Sequence, residues 1–129
     1  MNKDIFRSQL ESGLCLSEEE RRLIISESVK RQSRDIKCAV IMEELAELTQ
    51  QVSKQLRNTG DCYDLVEEMA DVYICLEFLK LIFDVDPDML QKAIDVKLKR
   101  EAERIALYSK PEWDFTDDYF EAMDSRNDC

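Results

Sequence analysis

Two short acidic phrases contain the residues of this chain best suited to chemistry. In a helix, residues three positions apart share a face, so Glu44 pairs with Glu47 and Glu68 pairs with Asp71. If the two helices pack side by side, all four carboxylates converge. The phrases read Met-Glu-Glu-Leu-Ala-Glu-Leu at residues 42–48 and Val-Glu-Glu-Met-Ala-Asp-Val at residues 66–72.

Converging carboxylates indicate a cation site. Like charges repel each other, and keeping them ionised beside a protein core is costly unless a cation neutralises them. Oxygen ligands favour hard divalent ions such as Mg²⁺ or Mn²⁺. The alternative is a solvated acidic face, because Glu is common in helices. The repetition of the phrase, with few basic residues four positions further on, favours the metal site.

Other metal sites do not fit the composition. The chain has no His, so it lacks the Glu-x-x-His pairs of di-iron bundles. It also lacks the Asp-rich, Gly-containing loop of an EF-hand. The five Cys include no Cys-x-x-Cys pair, so we expect reduced thiols in a cytoplasmic protein.

The elements that must position the acids are predicted to be helices. Gly and Pro occur only twice each, which favours a mostly helical protein. With four predicted helices, we expect an all-α, four-helix-bundle-like subunit. Ser17 and Glu20 have the spacing of a capping box. Asp86 and Pro87 fit the N-cap and first position of the last helix. The predicted helices cover residues 18–31, 35–57, 62–83 and 87–108.

The second and third helices have apolar stripes with helical spacing, and the acidic pairs are expected to flank the seam between them. Gly60 is expected near the C-terminal end of the second helix. Around these helices we expect a flexible lead-in at residues 1–16, one all-α domain at 17–108 and an acidic, aromatic tail at 109–129. The tail would dock on the helices or on a partner subunit. The stripes are Ile41, Leu45, Leu48, Val52 and Leu56, then Leu65, Met69, Val72, Leu76, Leu79 and Phe83.

The net charge of −11 argues against binding to nucleic acid or to an anionic membrane, which needs a basic surface. No apolar run is long enough to span a bilayer. An acidic pocket still accepts a polyphosphate when metal ions lie between the two sets of anions.

A basic segment follows on the last predicted helix. Lys97, Arg100 and Arg104 share a face at i, i+3 and i+7, which suits phosphate binding. The alternative is that these cations only complement the dipole at the helix C-terminus. Trp113 is expected to pack in the core or between subunits, with stacking on a base as the other reading.

The acidic phrases and the order of the helices resemble the MazG-like, all-α nucleoside triphosphate pyrophosphohydrolases over about residues 32–108. The resemblance implies a homodimer or homotetramer in which Mg²⁺ is bound by four carboxylates. It also implies that the basic segment contacts substrate, although Glu101 stands where the family often has Asn. The implied Mg²⁺ ligands are Glu44, Glu47, Glu68 and Asp71.

The implied reaction converts a nucleoside triphosphate and water into the monophosphate and pyrophosphate, as in the removal of unwanted nucleotides. Glu43 or Glu47 would orient or deprotonate the attacking water. Mg²⁺ is the expected cofactor, with Mn²⁺ as a substitute. The competing hypothesis is a helical module that oligomerises or binds metal or nucleotide without turnover.

Overall fold

The computed structural model describes residues 3–108, with side chains described to residue 106. This part of the chain is helical and has no strand, which confirms the all-α prediction. None of the helices in it combines the length and apolar content needed to cross a membrane. The helices are α1 (Lys3–Glu11), α2 (Glu18–Lys30), α3 (Arg34–Leu56), α4 (Cys62–Ile82) and α5 (Pro87–Tyr108).

The four predicted helices form within one or two residues of their predicted ends. The capping box at the start of α2 is present: Glu20 N donates to Ser17 Oγ at 3.2 Å, and Ser17 N donates to Glu20 Oε2 at 2.7 Å. Asp86 caps α5, because Asp88 N donates to Asp86 Oδ1 at 3.0 Å. These contacts satisfy amide groups that have no partner inside the helix.

The turn after α3 includes Gly60, near the helix end as expected, and its left-handed residue is Asn58, with φ of 55°. Thr59 N donates to Lys54 O and Asn58 N donates to Gln55 O, the hydrogen bonds of a Schellman ending. At Gly60, a Cβ would lie 2.5 Å from Nε2 of Gln55, so a larger residue there would displace that side chain.

The chain divides into two compact units, with the boundary after Val85. In the first unit, α4 contacts α1, α2 and α3. The described part of the second unit is α5. The predicted domain at 17–108 spans this boundary, so the domain limits stay a prediction. The predicted tail at 109–129, with Trp113, lies outside the described residues.

One helix lies where the sequence predicts only a flexible lead-in. Helix α1 is fixed to α4 by two ion pairs: Lys3 Nζ lies 2.6 Å from Asp64 Oδ2, and Arg7 Nη2 lies 2.6 Å from Asp61 Oδ2. The Arg7 guanidinium also lies over the Tyr63 ring, 4.2 Å from its centroid. These partners are distant in sequence, so no local pattern indicates them.

The buried seam of the first unit is narrow. Among side chains that the structure describes, Ile41, Cys75 and Lys37 are the buried ones. The Lys37 ammonium donates to Ser28 Oγ at 2.6 Å and lies 3.9 Å from the centroid of the Phe78 ring, which connects α2, α3 and α4. The seam therefore includes a charged residue, as well as apolar ones.

Three members of each predicted apolar stripe are exposed. Ile41 is buried, and Leu48, Leu65, Val72 and Leu79 are half-buried. These exposed members are Leu45, Val52, Leu56, Met69, Leu76 and Phe83.

The expectation of reduced thiols is wrong for one residue. Cys62, at the start of α4, is disulfide-bonded, whereas Cys15, Cys38 and Cys75 are free. The reason is that pairing depends on which thiols the fold brings within bonding distance. Spacing along the sequence does not show this distance.

Candidate metal centre

The pairing of α3 with α4 brings acids from both phrases together. Glu44 of α3 and Glu68 and Asp71 of α4 each offer one carboxylate oxygen, and these three oxygens all lie within 4.8 Å of one another. The short turn between the helices makes them antiparallel neighbours. The three side chains are half-buried.

Two carboxylate oxygens in this group are buried without a hydrogen-bond partner. They are Glu44 Oε2 and Glu68 Oε2. The groups around them are other carboxyls, which can hydrogen bond to each other only when one of them is protonated. No ion pair neutralises the three acids within the part of the chain that the structure describes. Because buried polar atoms in proteins are nearly always satisfied, these two oxygens require a cation, a proton or a water molecule as a partner.

The electrostatics of the group favour protonation in the absence of a cation. Burial first, and then the charges of Glu47, Asp71 and Glu44, raise the pKa of Glu68 to about 7. Burial and the charges of Asp71 and Glu47 also raise the pKa of Glu44. Burial and the Glu47 charge raise the pKa of Asp71, and a hydrogen bond from Glu44 partly offsets this rise. A divalent cation would replace the bound protons and stabilise the ionised forms.

The other acids of the first phrase lie at the edge of the group. Glu47 is exposed, and Glu68 donates a hydrogen bond to it when Glu68 is protonated. Glu43 is also exposed. Its effect on the group is electrostatic, because its charge helps to raise the pKa of Glu44. Of the four predicted ligands, three are brought together, and Glu47 is adjacent to them with solvent access.

The acids on α4 form a longer stripe than the sequence phrase suggests. Asp61, Asp64, Glu68 and Asp71 follow each other at spacings of three or four residues, so they share one face. The first two are paired with cations of α1, whereas the last two lie in the unneutralised group. The sequence reasoning missed Lys3, Arg7 and their partners, although Lys3 and Arg7 are four positions apart.

A buried thiol lies beside the acids. Cys75 is one turn after Asp71 on α4. Burial raises the pKa of its thiol, and the charges of Glu44 and Asp71 raise it further, while Lys37 partly opposes them. The thiol is therefore kept protonated next to the group.

The predicted phosphate-binding residues lie on α5, in the second unit. Lys97, Arg100 and Arg104 are exposed. Arg104 Nη1 lies 3.4 Å from Glu101 Oε2 of the same helix. Their spacing places them on one face of α5, and their role toward a substrate stays a prediction.

Comparisons with known proteins add no assignment, because no protein-family model, no curated protein and no solved structure matches this chain.

Proposed function

We propose that this chain is a Mg²⁺-dependent nucleoside triphosphate pyrophosphohydrolase that acts as a homo-oligomer. It would hydrolyse a ribo- or deoxyribonucleoside triphosphate to the monophosphate and pyrophosphate. A role in removing unwanted nucleotides fits this activity. The proposal rests on the acidic group between α3 and α4 and on the resemblance of its two phrases to the MazG-like enzymes.

The observation that carries the proposal is the pair of buried carboxylate oxygens without a donor, at Glu44 and Glu68. An acidic surface that served only solubility would place its carboxylates in water. Here three carboxylates converge within 4.8 Å at a helix interface, where the cost of ionisation is high. A hard divalent cation with oxygen ligands removes this cost.

Glu44, Glu68 and Asp71 would hold Mg²⁺, or Mn²⁺ in its place, with Glu47 completing the set. The bound ion would neutralise phosphate charge and lower the pKa of an attacking water. Glu47 has the accessibility that a general base needs, because it is exposed and adjacent to Glu68. Glu43 is the second candidate for this role, and a comparison of Glu43→Gln with Glu47→Gln would distinguish them.

Substrate phosphates also require cations from the protein. We propose that the triphosphate and the departing pyrophosphate are bound by Lys97, Arg100 and Arg104. These residues share a face of α5 and are exposed. The partner is a small nucleotide, with no nucleic acid and no membrane, consistent with the net charge of −11.

Assembly into dimers or tetramers is supported by the apolar side chains that the first unit exposes on α3 and α4. Association would remove exposed apolar side chains of this kind from water. A four-helix-bundle-like subunit would bury such a surface against a second copy. The most exposed members are Met42, Leu56 and Tyr73, at 64%, 81% and 70% of their full accessibility.

A cytoplasmic location follows from the substrate class, because nucleoside triphosphates are made and consumed there. Disulfides are uncommon in that compartment, so the proposal requires Cys62 to be reduced in the cell. Alkylation of the protein in acid-quenched cells, followed by mass spectrometry, tests this. An oxidised Cys62 in freshly quenched cells would contradict the assigned location.

The experiment that tests the function is a pyrophosphate-release screen over natural and damaged nucleoside and deoxynucleoside triphosphates, with Mg²⁺ and with EDTA. The proposal predicts release that depends on the metal. Binding of metal and nucleotide without release of pyrophosphate would instead favour the non-catalytic module. Neither binding nor release would contradict both hypotheses.

A further inference from the structure

Helix α1 places two cations on the face of α4 that also carries the candidate metal ligands. Lys3 pairs with Asp64 and Arg7 pairs with Asp61, each at 2.6 Å. The numbering rises along α1 as it falls along α4, so the two helices are antiparallel. The N-terminal end of α1 therefore points toward the acidic group.

The aspartate that binds Lys3 is one helical turn from that group. Its partner Asp64 precedes Glu68 by four residues on α4, and side chains at this spacing are separated by about 5–6 Å between Cβ atoms. The Lys3 side chain is 62% exposed and that of Arg7 is 42% exposed. Each cation therefore keeps access to solvent in addition to its ion pair.

We propose that Lys3 and Arg7 bind the phosphate chain of a polyphosphate whose metal-bound end lies at Glu44, Glu68 and Asp71. This inference rests on the proposed function. An ammonium group has three N–H donors and a guanidinium has five, so each cation can contact a phosphate oxygen with one donor while another donor faces its aspartate.

The negative charge of the acidic stripe on α4, from Asp61 to Asp71, explains why these cations are needed. A polyphosphate that approaches a row of four acids is repelled, and a divalent ion offsets this repulsion only near its own ligands. Lys3 and Arg7 neutralise the part of the stripe beyond the metal ligands. The two ion pairs leave this edge neutral instead of negative, in the same compact unit as the acids.

A purely structural role for the same ion pairs makes a different prediction. If Lys3 serves only to attach α1 to α4, then Lys3→Met and Asp64→Asn break the same contact and have the same effect. If Lys3 binds phosphate, the two changes have opposite effects. Lys3→Met removes a phosphate ligand, whereas Asp64→Asn releases the ammonium from its competitor and removes a repelling charge.

The test is calorimetric titration of inorganic tripolyphosphate into the full-length protein at saturating Mg²⁺. Lys3→Met should weaken binding about tenfold, the scale of a hydrogen bond to a charged group. Asp64→Asn should tighten it several-fold, and Lys3→Arg should restore most of the affinity. Lys30→Met is the matched control, because Lys30 is an exposed, ion-paired lysine of α2, with Nζ 3.8 Å from Glu27 Oε1.

Mn²⁺ titration of the same samples distinguishes a failure of the proposed function from a failure of this inference. If the wild-type protein binds no divalent ion, the proposed function and this inference both fail. If metal binding is intact in every variant but Lys3→Met binds tripolyphosphate like wild type, this inference alone is wrong. The inference is also overturned if the metal-loaded wild-type protein binds no tripolyphosphate, or if Lys3→Met and Asp64→Asn both weaken binding.

Discussion

At the scale of single residues, the grouping of acids between α3 and α4 lowers the stability of the metal-free folded protein. Glu44, Glu68 and Asp71 are close enough to repel each other, and burial raises the pKa of each. Sites that bind charged ligands commonly retain such unfavourable arrangements, since the ligand compensates for them. Substitutions there should therefore affect activity and metal-free stability in opposite directions.

Asp71→Asn should lower metal-dependent pyrophosphate release by at least about a hundredfold, because it removes a negative ligand atom from the centre. The stability of the metal-free protein should hold or rise, because one like charge has been removed. Steady-state kinetics and urea denaturation in EDTA measure the two effects. Glu18→Gln, an exposed acid of α2, is the control and should change neither.

The pKa of Glu68 makes a separate prediction about pH. This pKa is about 7 in the folded protein, whereas the ordinary value for a Glu side chain is 4.5, so between these values the folded state binds more protons than the unfolded state. The free energy of unfolding without metal should therefore fall as pH rises through this window, by about 1–3 kcal/mol. Denaturation curves in EDTA, at pH values across the window, measure the fall.

Glu68→Gln tests the origin of that pH dependence. The neutral amide cannot titrate, so the variant should lose most of the dependence between pH 4.5 and about 7. A variant with the same slope as wild type would show that other groups cause it.

At the scale of elements, the turn between α3 and α4 sets which acids face each other. Gln55 Nε2 donates to Asp61 O at 3.0 Å, and Asp61 Oδ1 accepts from Tyr63 N at 2.8 Å. Arg7 holds the other oxygen of the Asp61 carboxylate. The N-terminus of α4 is thus fixed by both α3 and α1.

Gly60→Ala should destabilise the protein by about 1 kcal/mol, because the new Cβ would lie 2.5 Å from Nε2 of Gln55 and force that side chain from its bond to Asp61. In a Gln55→Ala background the same change should cost much less. Thermal or urea denaturation of the four proteins of this double-mutant cycle measures the coupling. Equal costs in the two backgrounds would show that Gln55 is not the obstacle.

The helices were predictable because their signals are local. Capping at Ser17 and Asp86 and helical periodicity fix the ends of α2 to α5 within one or two residues. Helix α1 was not predictable, since it is fixed by partners 54 and 61 residues away. The sequence placed Gly60 near the end of α3 but did not show that Asn58 is the left-handed residue of the turn.

The candidate site was predictable in composition but not in arrangement. The two phrases identified Glu44, Glu47, Glu68 and Asp71 by spacing, and the structure brings the carboxylates of Glu44, Glu68 and Asp71 together. The depth of each side chain depends on how α3 packs against α4, which the apolar stripes did not determine because six of their eleven members are exposed. Glu47 lies at the exposed edge of the group.

At the scale of the whole molecule, the exposed apolar surface predicts self-association. The wild-type protein at micromolar concentration should have the mass of a dimer or tetramer by light scattering coupled to size exclusion. Tyr73→Glu should shift the mass toward the monomer, because it places a charge in the apolar surface of α4. Gln50→Glu, at an exposed polar position of α3, should leave the mass unchanged, and a monomeric wild type would contradict the assembly.

The central claim is that the acids of α3 and α4 form a divalent-metal site. Titration of Mn²⁺ into metal-free protein, followed by electron paramagnetic resonance of the free ion, tests it most directly. The wild type should bind Mn²⁺ in competition with Mg²⁺, and Glu44→Gln and Asp71→Asn should each weaken binding by about tenfold or more. Glu18→Gln should bind like the wild type. Equal binding by all four proteins, or no binding by the wild type, would contradict the claim.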